Sequence, residues 1–269
     1  MSGNPVQHDM MISRPAGRLP ARRSPGHRRS ARWIAGVVAV FFFPAAALAD
    51  WSWGQAAPLP EQRTEVSAVS DGEAIYVLGG FGVAEGRGTA PTGVYRYTPA
   101  GDAWEKVADL PEGVNHTGIV ILEGKLYVVG GYRAASFDPV ADLRILDLAT
   151  MTWSEGAPLP TPRGALAVTE LGGRIHAIGG TTAAGTVALH EIYDPATNSW
   201  QEAAPLTIRR NHHTAAAHEG RIYVFGGRDE STFRQTVSEV FDPATGQWQA
   251  IADLPTGRSG IASAVLNGV

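Results

Sequence analysis

The stretch Ile222-Tyr223-Val224-Phe225-Gly226-Gly227, with Phe241-Asp242-Pro243-Ala244-Thr245-Gly246-Gln247-Trp248 and Leu254 behind it, decides the fold because its pattern returns along the chain. Tryptophans stand at Trp53, Trp104, Trp153, Trp200 and Trp248. A leucine follows each by six residues: Leu59, Leu110, Leu159, Leu206 and Leu254. Twenty residues beyond the first four leucines come the doublets Gly79-Gly80, Gly130-Gly131, Gly179-Gly180 and Gly226-Gly227. Seven residues before each later tryptophan is a large apolar residue, namely Tyr97, Leu146, Tyr193 or Phe241. A period of 40 to 50 residues marks a repeat architecture of the propeller kind.

Each unit has room for four short strands. The run before each doublet is β-branched or aromatic, as suits a buried sheet, and the run before that is rich in small residues, as suits the narrow centre of a propeller. In Asp194-Pro195-Ala196-Thr197-Asn198 and Asp242-Pro243-Ala244-Thr245-Gly246 the proline presets φ and the last residue tolerates a left-handed backbone, which makes a hairpin corner. In the fourth repeat the expected strands are 214–218, 221–225, 237–241 and 248–252. The doublets remove Cβ where the backbone turns sharply or meets a neighbour. The expected architecture is all-β, with four complete four-stranded blades at about 62–108, 112–157, 161–204 and 208–252. Residues 256–269 start a fifth blade, and 51–57 match an outer closing strand of a last blade. A chain of this kind reads as part of a six-bladed or seven-bladed ring.

Residues 1–49 differ from the rest. They hold seven arginines and one acid, Asp9, followed by the apolar run Trp33 to Phe43, then Pro44 and Ala47-Leu48-Ala49. Basic, apolar and A-x-A regions in that order constitute a secretory signal, with cleavage expected after Ala49; the run is too short and too soon broken for a bilayer span of ~20 residues. The expected mature protein is exported, periplasmic or secreted, with no stable membrane span. Of 22 basic and 26 acidic residues overall, the loss of these seven arginines and Asp9 leaves a formal charge of −10. That balance argues against nucleic acid as a partner. The absence of cysteine removes disulfides, thiolate metal sites and a cysteine nucleophile.

The aromatic-apolar-Gly-Gly run, with Tyr-Asp-Pro and a tryptophan seven residues after the tyrosine, resembles the kelch motif across residues 51–269. Repeat two departs from it with Leu146-Asp147-Leu148. The resemblance implies a kelch propeller of the superfamily that includes the central domain of galactose oxidase. Secreted relatives include sialic acid mutarotases and galactose-oxidase-type copper enzymes. The latter need a cysteine crosslinked to tyrosine, which this chain lacks.

From doublet to the following aromatic the spacing is 18, 16, 14 and 15 residues, and variable loops on a rigid scaffold are where binding usually resides. The inter-blade segments carry Arg63, Arg163, Arg210 and Arg258, each four residues past its leucine, with Val114 as the exception. Two readings stand: they ring the channel mouth and hold a carboxylate or sugar, or they bond neighbouring carbonyls and acids such as Glu191 or Glu239. The pairs Asn115-His116 and Asn211-His212 share one offset and either face a ligand or join blades. Further candidates are Tyr132-Arg133, Arg228-Asp229-Glu230 and Arg87. His212, His213 and His218 do not make a metal site, because positions six apart lie ~20 Å apart along a strand. No metal and no cofactor are expected. The expected function is non-enzymatic binding of a protein, peptide or glycan on the variable-loop face. The alternative is a carbohydrate-active enzyme of the sialic acid mutarotase type, with His116, His212 or a loop acid as acid and base.

Overall fold

The computed structural model describes residues 54–84, 87–133 and 137–266; the expected signal (1–49), Trp51–Trp53 and residues 267–269 lie outside them. Four antiparallel four-stranded meanders follow one another. The first is Ser67–Ser70, Ile75–Leu78, Gly93–Thr98 and Ala103–Asp109. The second is Gly118–Leu122, Lys125–Val129, Leu143–Asp147 and Thr152–Glu155. The third is Ala167–Leu171, Arg174–Ile178, His190–Asp194 and Ser199–Ala203. The fourth is Thr214–His218, Arg221–Phe225, Ser238–Asp242 and Gln247–Ala250.

The fixed offsets of the sequence acquire physical causes. The seven-residue step puts aromatic or leucine and tryptophan directly opposite across a hairpin: Tyr97 and Trp104, Leu146 and Trp153, Tyr193 and Trp200, Phe241 and Trp248. Each indole N–H then donates to a carbonyl of the preceding repeat: Trp104 to Ala57, Trp153 to Asp109, Trp200 to Ala157 and Trp248 to Ala204, at 2.7–2.9 Å. The repeat leucines Leu110, Leu159 and Leu206 are buried between blades. The core accordingly lies in layers between sheets, for example Leu78, Leu110, Leu126 and Leu146 in one layer, and Ile178, Leu206, Val224 and Phe241 in another.

The glycine doublets are blade junctions. The amide of Gly131 donates to Arg163 O at 3.0 Å and that of Gly180 to Arg210 O at 2.9 Å. Gly180 has φ +104°, and a Cβ there would meet the carbonyl of Gly164 at 2.8 Å. Side chains are excluded by backbone on both counts.

The described parts of both terminal segments, expected as 51–57 and 256–269, carry no strand. Gly54–Ala57 form no strand. The amide of Ala57 instead donates to Asp102 Oδ1 at 2.7 Å. Residues 256–266 likewise form no strand, although Gly227 N donates to Arg258 O and Gly260 N to His212 O at 2.7 and 2.9 Å. An inner strand needs a second strand to complete its ladder, and among the described residues none pairs with 256–266 as one. Among the described residues no helix is long and apolar enough to cross a membrane.

Candidate functional site

One backbone device recurs on the face that carries the inter-blade segments. In all four repeats the residue five past the leucine pairs with the residue just after the doublet: Thr64 with Phe81, Asn115 with Tyr132, Gly164 with Thr181, and Asn211 with Arg228. The next residue in each segment takes a left-handed backbone: Glu65 (φ 55°), His116 (51°), Ala165 (52°), His212 (51°) and Gly260 (62°). The last four of these residues are linked by a belt of backbone hydrogen bonds, with Glu65 at the equivalent position beside it. Ala165 N donates to His116 O, His212 N to Ala165 O and Gly260 N to His212 O, at 2.9–3.0 Å. Two sets of equivalent positions thereby surround an open basin of about 580 Å³.

At the belt, Ala165 offers only a methyl group, and His116 and His212 approach across it with ring centroids 4.9 Å apart. His116 is also edged by Phe81, Tyr132 and Phe137 at 5.6–6.1 Å. Its Nδ1 lies 2.7 Å from Asn115 Oδ1, and its Nε2 lies 3.4 Å from Glu65 Oε2. His212 repeats the arrangement, with Nδ1 2.5 Å from Asn211 Oδ1 and Nε2 2.9 Å from the Arg228 guanidinium. Asn211 Nδ2 donates to Thr186 Oγ1 at 2.6 Å, so its Oδ1 faces the ring. Burial, with Arg228 and then His116 adding repulsion, pushes the His212 pKa down to about 3. Burial also lowers that of His116, which Glu65 partly offsets. Both imidazoles are therefore neutral at pH 7. Arg228 stacks over the exposed Phe233 ring at 5.1 Å.

The sequence candidates divide. His116, Asn211, His212, Arg228, Asp229 and Glu230 line the basin, and Asn115, fully buried, stands behind His116. Asp229 Oδ1 accepts from Ser231 N, Ser231 Oγ and Thr232 N, which shapes its own loop. Arg133 is exposed and pairs with Glu112 at 2.9 Å. The side chain of Arg87 lies outside the described residues.

The repeat arginines do not ring the mouth. Arg163 and Arg210 are fully buried and ion-paired with Glu191 and Glu239. Arg163 also donates to Gly179 O and Ala177 O, and Arg210 to Gly226 O and Val237 O. Arg63 bonds Glu61 and Gly93 O and lies over the Tyr95 ring. Arg258 is exposed but borders a separate hollow with Leu254 and Phe225. A side chain four past the leucine turns into its own blade, whereas the left-handed backbone at the position six past it breaks the alternation and turns Glu65, His116 and His212 to the basin, beside Thr64 and Asn211.

Of the three histidines His212, His213 and His218, only His212 reaches the basin. His213 is buried, and His218 ends the inner strand. Sequence reasoning missed Glu65, which shares the offset of His116, and the aromatic wall of Phe81, Phe137 and Phe233.

The family model for the Kelch motif matches residues 62–111, 114–160, 162–207 and 209–255. The chain is a kelch-repeat protein. Among curated relatives it is 31% identical to Kelch-like protein 35 of Mus musculus over 131 residues, 48% of this chain and 21% of that one. It is 30% identical to Kelch-like protein terF of Aspergillus terreus over 105 residues, 38% and 23% of the two chains. This kelch chain thus spans about a fifth of the length of the curated relatives it matches. In fold it is similar to the solved structure of YjhT, with a TM-score of 0.72 and 19% identity over 82% of this chain and 80% of that one.

Proposed function

We propose that this kelch propeller is a non-enzymatic binding module that acts outside the cytoplasm and takes a protein or peptide partner into the His116–His212 basin. The observation that carries the reading is a contrast among repeats. Positions that join blades keep their chemistry in all four repeats as glycine doublets and tryptophans, and in the third and fourth as buried arginine–glutamate pairs. Positions that line the basin vary among blades: Glu65, His116, Ala165 and His212 at the belt positions, with histidine in two of the four, and Phe81, Tyr132, Thr181 and Arg228, all different, beside them. A scaffold alone gives no reason for that divergence; a surface matched to an asymmetric partner does. Phe137 and Phe233, 54% and 65% exposed, stand beside Arg228 at the rim, and aromatic side chains with arginine are the residues that dominate protein–protein contacts. Export rests on the basic, apolar and A-x-A order of residues 1–49; a mature chain beginning at Asp50 on N-terminal sequencing supports it, and an intact Met1 in the working protein overturns it.

A second reading is favoured by one contact. Glu65 and His116, 3.4 Å apart, offer an acid and a base to the same basin, which is what anomer exchange on an acidic sugar of the sialic acid type requires.

One experiment separates the two. Peptides are selected from a random display library on the full chain and then tested on Arg228→Ala and Phe233→Ala, while anomer exchange of N-acetylneuraminate is followed by NMR. Selected peptides that lose at least about tenfold in affinity on both variants, about 1.4 kcal/mol, support the binding module. Peptides indifferent to both variants, or catalysed exchange abolished by Glu65→Gln, overturn it.

A further inference from the structure

We infer that Glu65, His116 and His212 form a binding site for a single divalent transition ion of the zinc class, held by one carboxylate oxygen and two imidazole Nε2 atoms. The three candidate ligand atoms all lie within 4.8 Å of one another. Tetrahedral zinc at bond lengths of ~2.1 Å sets its ligand atoms ~3.4 Å apart. His116 Nε2 and Glu65 Oε2 already have that separation, at 3.4 Å. Closing the remainder takes side-chain adjustment of about an ångström, and Glu65 is half exposed and free to make it.

The rings are also presented in the tautomer a metal needs. Each Nδ1 faces an asparagine Oδ1, at 2.7 Å for His116 and 2.5 Å for His212, so Nδ1 carries the proton and Nε2 the lone pair. For His212 this assignment is fixed twice over. Asn211 has its amide nitrogen committed to Thr186, and Arg228, which can only donate, sits 2.9 Å from Nε2. A ligating histidine whose second nitrogen donates to a fixed oxygen is the usual outer arrangement of a metal site. Two imidazoles and one carboxylate suit zinc and its neighbours rather than calcium or magnesium. The fourth coordination position opens on the basin.

Arg228 is the competitor. Its guanidinium holds the lone pair that the ion would take, and it must withdraw along the Phe233 ring for the metal to bind. The site therefore makes a demand opposite to that of partner binding: removal of Arg228 strengthens it. Because the probe is the ion alone, the outcome is independent of whether a peptide partner exists.

The test is calorimetric titration of the chelator-treated full chain with zinc chloride, with cobalt(II) absorption as a second readout and far-ultraviolet dichroism to verify that each variant is folded. Expected are saturation at one equivalent with Kd at or below ~10 μM, visible bands of tetrahedral cobalt, and loss of at least about tenfold for His116→Ala and for His212→Ala. Asn211→Ala weakens binding by about 10- to 100-fold, as outer-shell changes do, and Arg228→Ala tightens it. His218→Ala, on a histidine away from the basin, leaves it unchanged. No saturable binding, octahedral cobalt spectra alone, or affinity lost equally with His218→Ala overturns the inference.

Discussion

Arg210 and His212 stand two residues apart in one inter-blade segment, and the fold gives them opposite work. The Arg210 side chain is fully buried, paired with an equally buried Glu239 whose other oxygen accepts from Thr207 N and Oγ1 at 2.8 and 2.6 Å. His212 turns through a left-handed backbone onto the basin, where its neighbours come from other repeats. Arg163 and Ala165 repeat the geometry in blade three, with the same buried pair but a blank position on the belt. The repeat keeps its joints constant and writes its differences two residues further on. In blade two the joint itself is rebuilt: Val114 replaces the arginine, and Arg144, at the place of the glutamate, donates to Glu112 O at 3.0 Å and to Asp142 Oδ2 at 2.8 Å.

The largest effect should come from breaking a joint. Arg210→Met leaves the Glu239 carboxylate buried without its cation, and removal of one partner of such a pair costs about 3–5 kcal/mol. Urea titration of Arg210→Met beside His212→Ala, with fluorescence of Trp248 and its fellows as the signal, is expected to show a loss of that size for the first and under about 1 kcal/mol for the second. Equal losses would erase the distinction between joint and basin.

The same contrast holds among the histidines. His176 and His190 are buried between the third and fourth blades, Nδ1 to Nε2 at 2.8 Å, with His190 against Phe241 and Trp248. Burial pushes His176 down to about 4. His190 falls to about 3 through burial and the nearby His176. Both folded-state values lie below the 6.5 of a free imidazole, so below pH 6.5 the unfolded chain binds protons that the folded one refuses. Stability is therefore full above pH 6.5 and declines as pH falls towards 3. Each such histidine contributes at most about 3 kcal/mol of loss by pH 4.5. His190→Gln should flatten the decline by about that amount between pH 7 and 4.5 in denaturant titrations, whatever it costs at pH 7. An unchanged slope would remove this pair from the acid response.

The blades were legible because their letters are constant: doublet, turn, tryptophan and leucine each answer a backbone or packing demand that few residues satisfy. The fourth repeat shows how far this reaches, with its first two strands at the expected residues and the last two displaced by one residue at their starts. The basin was half legible. Asn115-His116 and Asn211-His212 stand out because the pair occurs twice at one offset. Glu65 does not, because a left-handed position filled by Glu, His, Ala and His has no residue signature, and only Gly260 hints at the backbone that all five share. Of the two readings of the arginines, the one that bonds them to carbonyls and to Glu191 or Glu239 is what Arg163 and Arg210 show, for a physical reason. Their offset is constant, and in this repeat constancy marks the joint, whereas what faces the basin varies.

The smallest effect on stability, and the sharpest on the comparison, belongs to Arg228→Ala. Arg228 is half-buried, its stack on the exposed Phe233 is worth about 0.5–1 kcal/mol, and its bond to His212 exchanges readily with water. Denaturant titration is expected to register a change below about 1 kcal/mol, so any larger functional effect cannot be charged to unfolding. On that background the two uses of the basin move in opposite directions: peptide capture weakens because a rim cation is gone, and zinc affinity rises because the His212 lone pair is released. A variant that loses both, with its stability intact, would mean that Arg228 orders the loop Arg228–Phe233 as a whole, and Asp229, whose carboxylate holds Ser231 and Thr232, would then be the residue whose replacement reproduces the loss.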